Sequence, residues 1–116
     1  MGVRLRLSAT GLGLLLLLAW VNPAEAQRTR FQALTQCSRL AAVQFGRTDP
    51  SFRRFVIERV SVQEDRFAGL VGNQFVSTVF YGRAIYEGAA GPKRVRFICL
   101  HAGYSKGAVF VYAMPD

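Results

Sequence analysis

Arg83, Arg94 and Arg96 are the residues whose type and spacing come nearest to building a site, with Lys93 adjoining them. Guanidiniums form forked, paired hydrogen bonds with phosphate or carboxylate, and a neighbouring aromatic ring can stack on them or on a ligand. Arg94 and Arg96 are two positions apart, so on an extended strand they share one face. If the turn Gly88-Ala89-Ala90-Gly91-Pro92 pairs Tyr86 with Lys93, then Arg83 falls opposite Arg96 and Ile85 opposite Arg94. Three guanidiniums then crowd one end of a sheet face, with Lys93 and Tyr81 or Tyr86 beside them. Like charges directly opposed destabilise a sheet unless they splay into water or meet an anion. Alternating arginines that merely keep an exposed face soluble would read the same way.

Little else in the chain has catalytic spacing. His101 is the only histidine and stands at a strand end next to Ala102-Gly103, the place of a polar strand terminus. No second histidine or carboxylate lies at ligand spacing from it, so no metal site is expected, and no sequence fingerprint calls for a cofactor. Gly-x-Ser-x-Gly, a Walker loop and a dinucleotide fingerprint are missing; Gly11-Leu12-Gly13 belongs to an apolar leader. The two cysteines, Cys37 and Cys99, are not a Cys-x-x-Cys pair, and the expectation is a structural disulfide. Closing a loop of roughly 60 residues would stabilise the fold by about 4 kcal/mol through the unfolded state.

The elements that must position these groups follow from periodicity. Phe31, Leu34, Cys37, Leu40, Ala41 and Phe45 step by three and four, which predicts a helix over Thr29 to Phe45 with Gly46 after its end and Pro50 forbidding continuation. Beyond Pro50 β-branched and aromatic residues dominate, and four strands are expected: Phe55 to Gln63, Phe75 to Glu87, Arg94 to His101 and Ala108 to Ala113. Short connections make them an antiparallel meander. The fold class is therefore α+β, one N-terminal helix packed on a four-stranded antiparallel β-meander and stapled by Cys37–Cys99. Residues 64–74, with Gly69, Gly72 and Asn73, fit either a loop or a short extra strand.

Cys99 must meet Cys37, so Val95, Phe97, Cys99 and His101 look at the helix, while Arg94, Arg96, Ile98 and Leu100 look away. In the same register Phe80 lies beside Cys99, and Gly82 lies under Phe97. Val79, Ile98, Leu100, Val109 and Val111 then form an apolar area that one helix does not cover. Either it is a partner surface or homodimer interface, or Phe67, Leu70 and Val71 fold over it. Arg47, Arg53, Arg54, Arg59 and Arg66 interleave with Phe45, Phe52, Phe55 and Phe67, a weak signal for a single-stranded nucleic-acid groove.

Length and charge bound the rest. The chain has 116 residues, and its start reads as an export signal: Arg4 and Arg6, an apolar run from Gly11 to Val21, then Ala24-Glu25-Ala26. That run is too short to span a membrane, and Pro23 follows it. Cleavage would leave residues 27–116 as a single small domain with no transmembrane segment, periplasmic or secreted. Thirteen basic residues against six acidic ones then give +7. Multi-lobed enzymes are excluded by size, and disorder by composition.

The layout resembles that of the secreted microbial guanyl-specific ribonucleases, which set a helix on an antiparallel sheet, often with one disulfide. The resemblance implies Glu58 as general base, Arg83, Arg94 and Arg96 as phosphate clamp and His101 as general acid. Leu100-His101-Ala102 stands where that family has Asp-His-Tyr, and the register puts His101 on the face opposite the arginines. The expected function is instead non-catalytic binding of an anionic surface or an acidic protein partner, with a secreted hydrolase or an envelope assembly subunit as the alternatives.

Overall fold

The computed structural model describes residues 23–103 and 105–116. Most of the expected export signal, residues 1–22, lies outside the described residues. Helix α1 spans Pro23–Thr48, followed by β1 (Arg54–Ile57), a short 3-10 turn (Arg59–Ser61), β2 (Gln63–Val71), β3 (Gln74–Gly88), β4 (Gly91–His101) and β5 (Ala108–Pro115). Helix α1 runs past Gly46 because the i to i−4 pattern continues through Asp49 N–H to the Phe45 carbonyl at 2.8 Å. Pro50, whose ring is incompatible with a further turn, then ends it. Among the described residues no helix is long and apolar enough to cross a membrane.

All strands form one antiparallel sheet in the order β1-β3-β4-β5, with β2 also pairing with β3. β1 pairs with Ala84 to Glu87 and β2 with Gln74 to Tyr81, so the two are one edge strand broken in the middle. The expected strand Phe55 to Gln63 is thus interrupted at Glu58 to Val62, where the backbone turns. The undecided stretch 64–74 is a strand and a tight hairpin. Val71 pairs with Gln74 across Gly72-Asn73, and Gly72 takes φ 61°, a left-handed conformation that glycine adopts without a Cβ penalty.

The break explains a glycine. A Cβ on Gly82 would lie 2.9 Å from both the carbonyl and hydroxyl oxygens of Ser61, so only glycine lets the turn press against β3. Ser61 bridges the gap that the lost ladder leaves. Its hydroxyl donates to the Glu58 carbonyl at 2.6 Å and accepts from Arg83 N–H at 2.9 Å. The backbone of Ser61, rather than the Phe97 ring across the sheet, is what requires a missing side chain.

The core lies between α1 and one sheet face. Leu34, Cys37 and Ala41 from the helix meet Phe55, Ile57, Phe80, Ala84, Val95, Phe97, Cys99 and Val111. Burying each large apolar side chain contributes about 1.5–3 kcal/mol. The Cys37–Cys99 disulfide joins helix to central strand with Cα atoms 6.1 Å apart and both cysteines fully buried. At the β5 edge the Gln44 side chain accepts from Val111 N–H at 2.8 Å and donates to its carbonyl at 3.4 Å. The helix thereby satisfies backbone groups of an edge strand that would otherwise template another chain. At the opposite end Asp49 accepts from Ser51 and Tyr86, locking the helix-to-sheet turn onto β3.

Candidate functional site

Among the described residues one helix covers one face of the sheet and nothing covers the other. The pairing of β3 with β4 puts Arg83 directly opposite Arg96, Ile85 opposite Arg94, and Tyr81 opposite Ile98. Cross-strand partners have Cβ atoms about 4.5–5.5 Å apart, so the two guanidiniums of the first pair start from adjacent stems. Arg83, Arg94 and Arg96 are all exposed. Two of them have weak counter-ions: Arg94 Nε is 3.5 Å from Glu58 Oε1, and Arg83 Nε is 3.9 Å from Asp116 Oδ1. Exposed pairs of this kind are worth about 0–1 kcal/mol, so an incoming anion displaces them at little cost. Arg96 makes no ion pair among the described residues.

Lys93 does not join this group. It pairs with Tyr86, and its ammonium lies 5.7 Å over the Tyr86 ring on the helix side of the sheet. Tyr86 packs there against Phe45 and Phe52, so of the two tyrosines only Tyr81 stands with the arginines. The Tyr81 hydroxyl donates to Gln63 Oε1 at 3.2 Å, and the hydrogen-bonding carboxylate of Asp65 holds the phenol above its ordinary pKa.

The strand break hollows this face. A concavity of about 560 Å³ lies between the Val60-Ser61 turn, the β3 stretch from Val79 to Arg83, the β4 stretch from Arg96 to Ile98, and Met114. Its rim carries Arg83 and Arg96, and its lining is mostly apolar. Farther along the same face stand Phe75, exposed by 48%, and Tyr112, exposed by 55%, with half-buried Leu100 beside them. The expected membership of this apolar area needs correction at two positions. Val111 pairs with Cys99 and is buried under the helix, leaving Phe110 and Tyr112 to face outward. The ladder slips between Leu100 and His101, and Val109 falls at that irregularity. Nor do Phe67, Leu70 and Val71 cover the face: they belong to edge strand β2 and are themselves exposed, with Leu70 paired to Phe75 and extending the patch.

His101 lies elsewhere. It is the one buried polar side chain among the described residues; Gly103 N–H donates to its Nδ1 at 3.1 Å, so the Nε2–H donates to Gln36 Oε1 at 2.6 Å. Burial holds the imidazole below its ordinary pKa and keeps it neutral. Arg94 and His101 are seven residues apart on β4 and on opposite faces, about 23 Å at ordinary strand rise. Glu58, beside Arg94, therefore does not converge with His101 on one phosphate, and the ribonuclease-like arrangement is not formed.

The nucleic-acid pattern also comes apart. Phe45, Phe52 and Phe55 stack on one another and on Tyr86 and Phe97 inside the core, so their rings are not offered to bases. Arg54 pairs with Glu87 at 2.6 Å, and the Arg59 guanidinium lies 3.7 Å over the Phe31 ring. Among the described residues no three histidines, cysteines or carboxylates cluster to hold a metal ion.

The arginine grouping was legible from alternation and one turn. The concavity was not, because nothing in Glu58-Arg59-Val60-Ser61 departs from strand-like composition; a glycine at position 82, inside a long strand, is the trace of it, since that is where the Ser61 turn makes its close approach. No protein family, curated protein or solved structure matches this chain.

Proposed function

We propose that this chain is an exported, disulfide-stapled binding module that holds an anionic ligand or acidic partner against the open sheet face, with Arg83, Arg94 and Arg96 as the contacts. One observation carries the reading: Arg83 and Arg96 are directly opposed on a face that no helix covers among the described residues, with Arg94 on the same side of β4. Such an arrangement is relieved when the guanidiniums splay into water or when an anion sits on it, and forked donors match phosphate, sulfate or carboxylate oxygens. Export is supported by the leader composition and by the disulfide, which suits an oxidising compartment. N-terminal sequencing of the secreted form tests that part, with Gln27 expected first; an intact leader contradicts it.

Binding to a panel of anionic material across a salt series tests the rest. Selective binding that persists at about 0.15 M salt is expected for a built site, whereas attraction of charge alone fades by that point.

A second reading has its own observation. Phe75, Phe110, Tyr112 and Leu70 are exposed together, and an uncovered patch of large apolar side chains suits a homodimer or an assembly partner. Sedimentation at low micromolar concentration tests it: a dimer is expected on this reading, and a monomer removes the homodimer.

A further inference from the structure

We propose that the concavity beneath Gly82 binds a single-chain anionic amphiphile, a molecule with a phosphate-like head and an alkyl tail. This rests on the anion-binding reading and extends it by naming the ligand class. The order of chemistry along the open face carries it. At the rim Arg83 and Arg96 present adjacent guanidiniums, and Arg94 lies one strand repeat beyond. Beyond the two arginines the lining is uncharged: Val79, Tyr81, Ile98 and Met114 are the larger apolar walls, and Gln63 and Ser61 add neutral polar groups. A volume of about 560 Å³ falls within the range of small-molecule sites and exceeds what a bare phosphate fills.

The geometry therefore pairs one charged end with one apolar body. A small inorganic anion would satisfy the arginines and leave the apolar walls wet. A neutral alkyl chain would cover the walls and leave the two like charges opposed. A molecule with both ends satisfies both, with the head at Arg83 and Arg96 and the tail running between β2 and β4 toward Ile98. From there half-buried Leu100 and exposed Phe110, paired across β4 and β5, continue the apolar surface in the same direction for a longer tail. The Asp116 carboxylate lies 3.9 Å from Arg83 Nε, a weak contact that a phosphate head would displace.

Titration of the purified protein with inorganic phosphate, hexyl phosphate, decyl phosphate and decyl maltoside, each below its micelle concentration, tests this. Affinity should rise by about two- to fourfold for each added methylene within the alkyl phosphates. Arg96→Gln should weaken every phosphate probe at least tenfold. Ile98→Thr should weaken decyl phosphate and leave inorganic phosphate unchanged, with circular dichroism establishing that each variant is folded.

Equal affinity for inorganic and decyl phosphate overturns the amphiphile while leaving the anion site standing. No binding of any phosphate overturns both readings, and so does decyl maltoside binding as tightly as decyl phosphate. Binding to phosphatidylglycerol vesicles without binding to monomeric decyl phosphate also overturns the amphiphile site and makes the face a membrane-docking surface.

Discussion

Arg83 and Arg96 face each other across the β3–β4 ladder, on the side of the sheet opposite the Cys37–Cys99 disulfide. Stability and binding chemistry are thus separated by the thickness of one sheet. The helix face holds the ring cluster and the disulfide, and the open face holds exposed guanidiniums whose counter-ions are 3.5 and 3.9 Å away.

That separation predicts independence. Replacing Arg83, Arg94 and Arg96 together with glutamine should lower affinity for anionic material while leaving the unfolding midpoint unchanged or slightly raised, since a like-charge contact is relieved. Thermal unfolding followed by circular dichroism checks it; a loss of several kcal/mol would make the arginines structural.

The counter-ions should act in the opposite sense. Asp116→Asn and Glu58→Gln each release an arginine from a weak ion pair and should tighten binding of a phosphate probe by about two- to fivefold, as expected from removing an exposed pair worth under 1 kcal/mol. Weaker binding in both variants would mean that the carboxylates position the guanidiniums.

Cys37→Ser or Cys99→Ser should reduce unfolding free energy by about 2–5 kcal/mol, measured in urea. Both positions are fully buried, so the loss comes without any exposed contact to replace it.

Gly82→Ala should cost about 1–3 kcal/mol, because the new methyl meets the Ser61 carbonyl at 2.9 Å and the backbone has to move. The same change should perturb the concavity, so binding and stability fall together here, unlike in the arginine variants. Wild-type stability in Gly82→Ala would show that the strand break at Glu58 to Val62 is not pressed against β3.

Stability should fall on mild acidification. Burial depresses the folded-state pKa of His101. The unfolded chain therefore takes up a proton near pH 6.5 while the folded chain resists it, and the stability present above that pH is lost as pH drops through and below it. Urea midpoints at pH 7.5 and pH 5 check the slope, and His101→Gln should flatten it. At the alkaline end, burial and the hydrogen bond to Asp49 push Tyr86 up to about 12, so its contribution is present below about pH 10 and lost as pH rises from there.

What the sequence made legible is where alternation and a turn act together. Gly88 to Pro92 set the register of the longest strand pair, and the disulfide then assigned its faces, so the opposition of Arg83 and Arg96 follows from the order of residues along the chain. Where only one of those two constraints acts, the reading slips. The longer turn signal from Ala102 to Gly107 leaves the register of β5 against β4 open, and the slip beside Val109 turns Val111 to the helix; Lys93 adjoins Arg94 in the chain but points to the opposite face, as neighbours on a strand do. Strand β2 carried a Gly-Asn hairpin signal, but its glycines and charges weakened the pattern of an edge strand with little to bury. The break between β1 and β2 is a tertiary feature, set by the fit of Ser61 against Gly82, and periodicity does not encode it.

The most direct test of the anion-binding face is calorimetric titration of decyl phosphate into the wild-type protein and into Arg83→Gln/Arg96→Gln, both at about 0.15 M salt. Saturable binding to wild type, at least a tenfold loss in the variant and unchanged unfolding midpoints are expected. Equal binding to both proteins would contradict the anion-binding face.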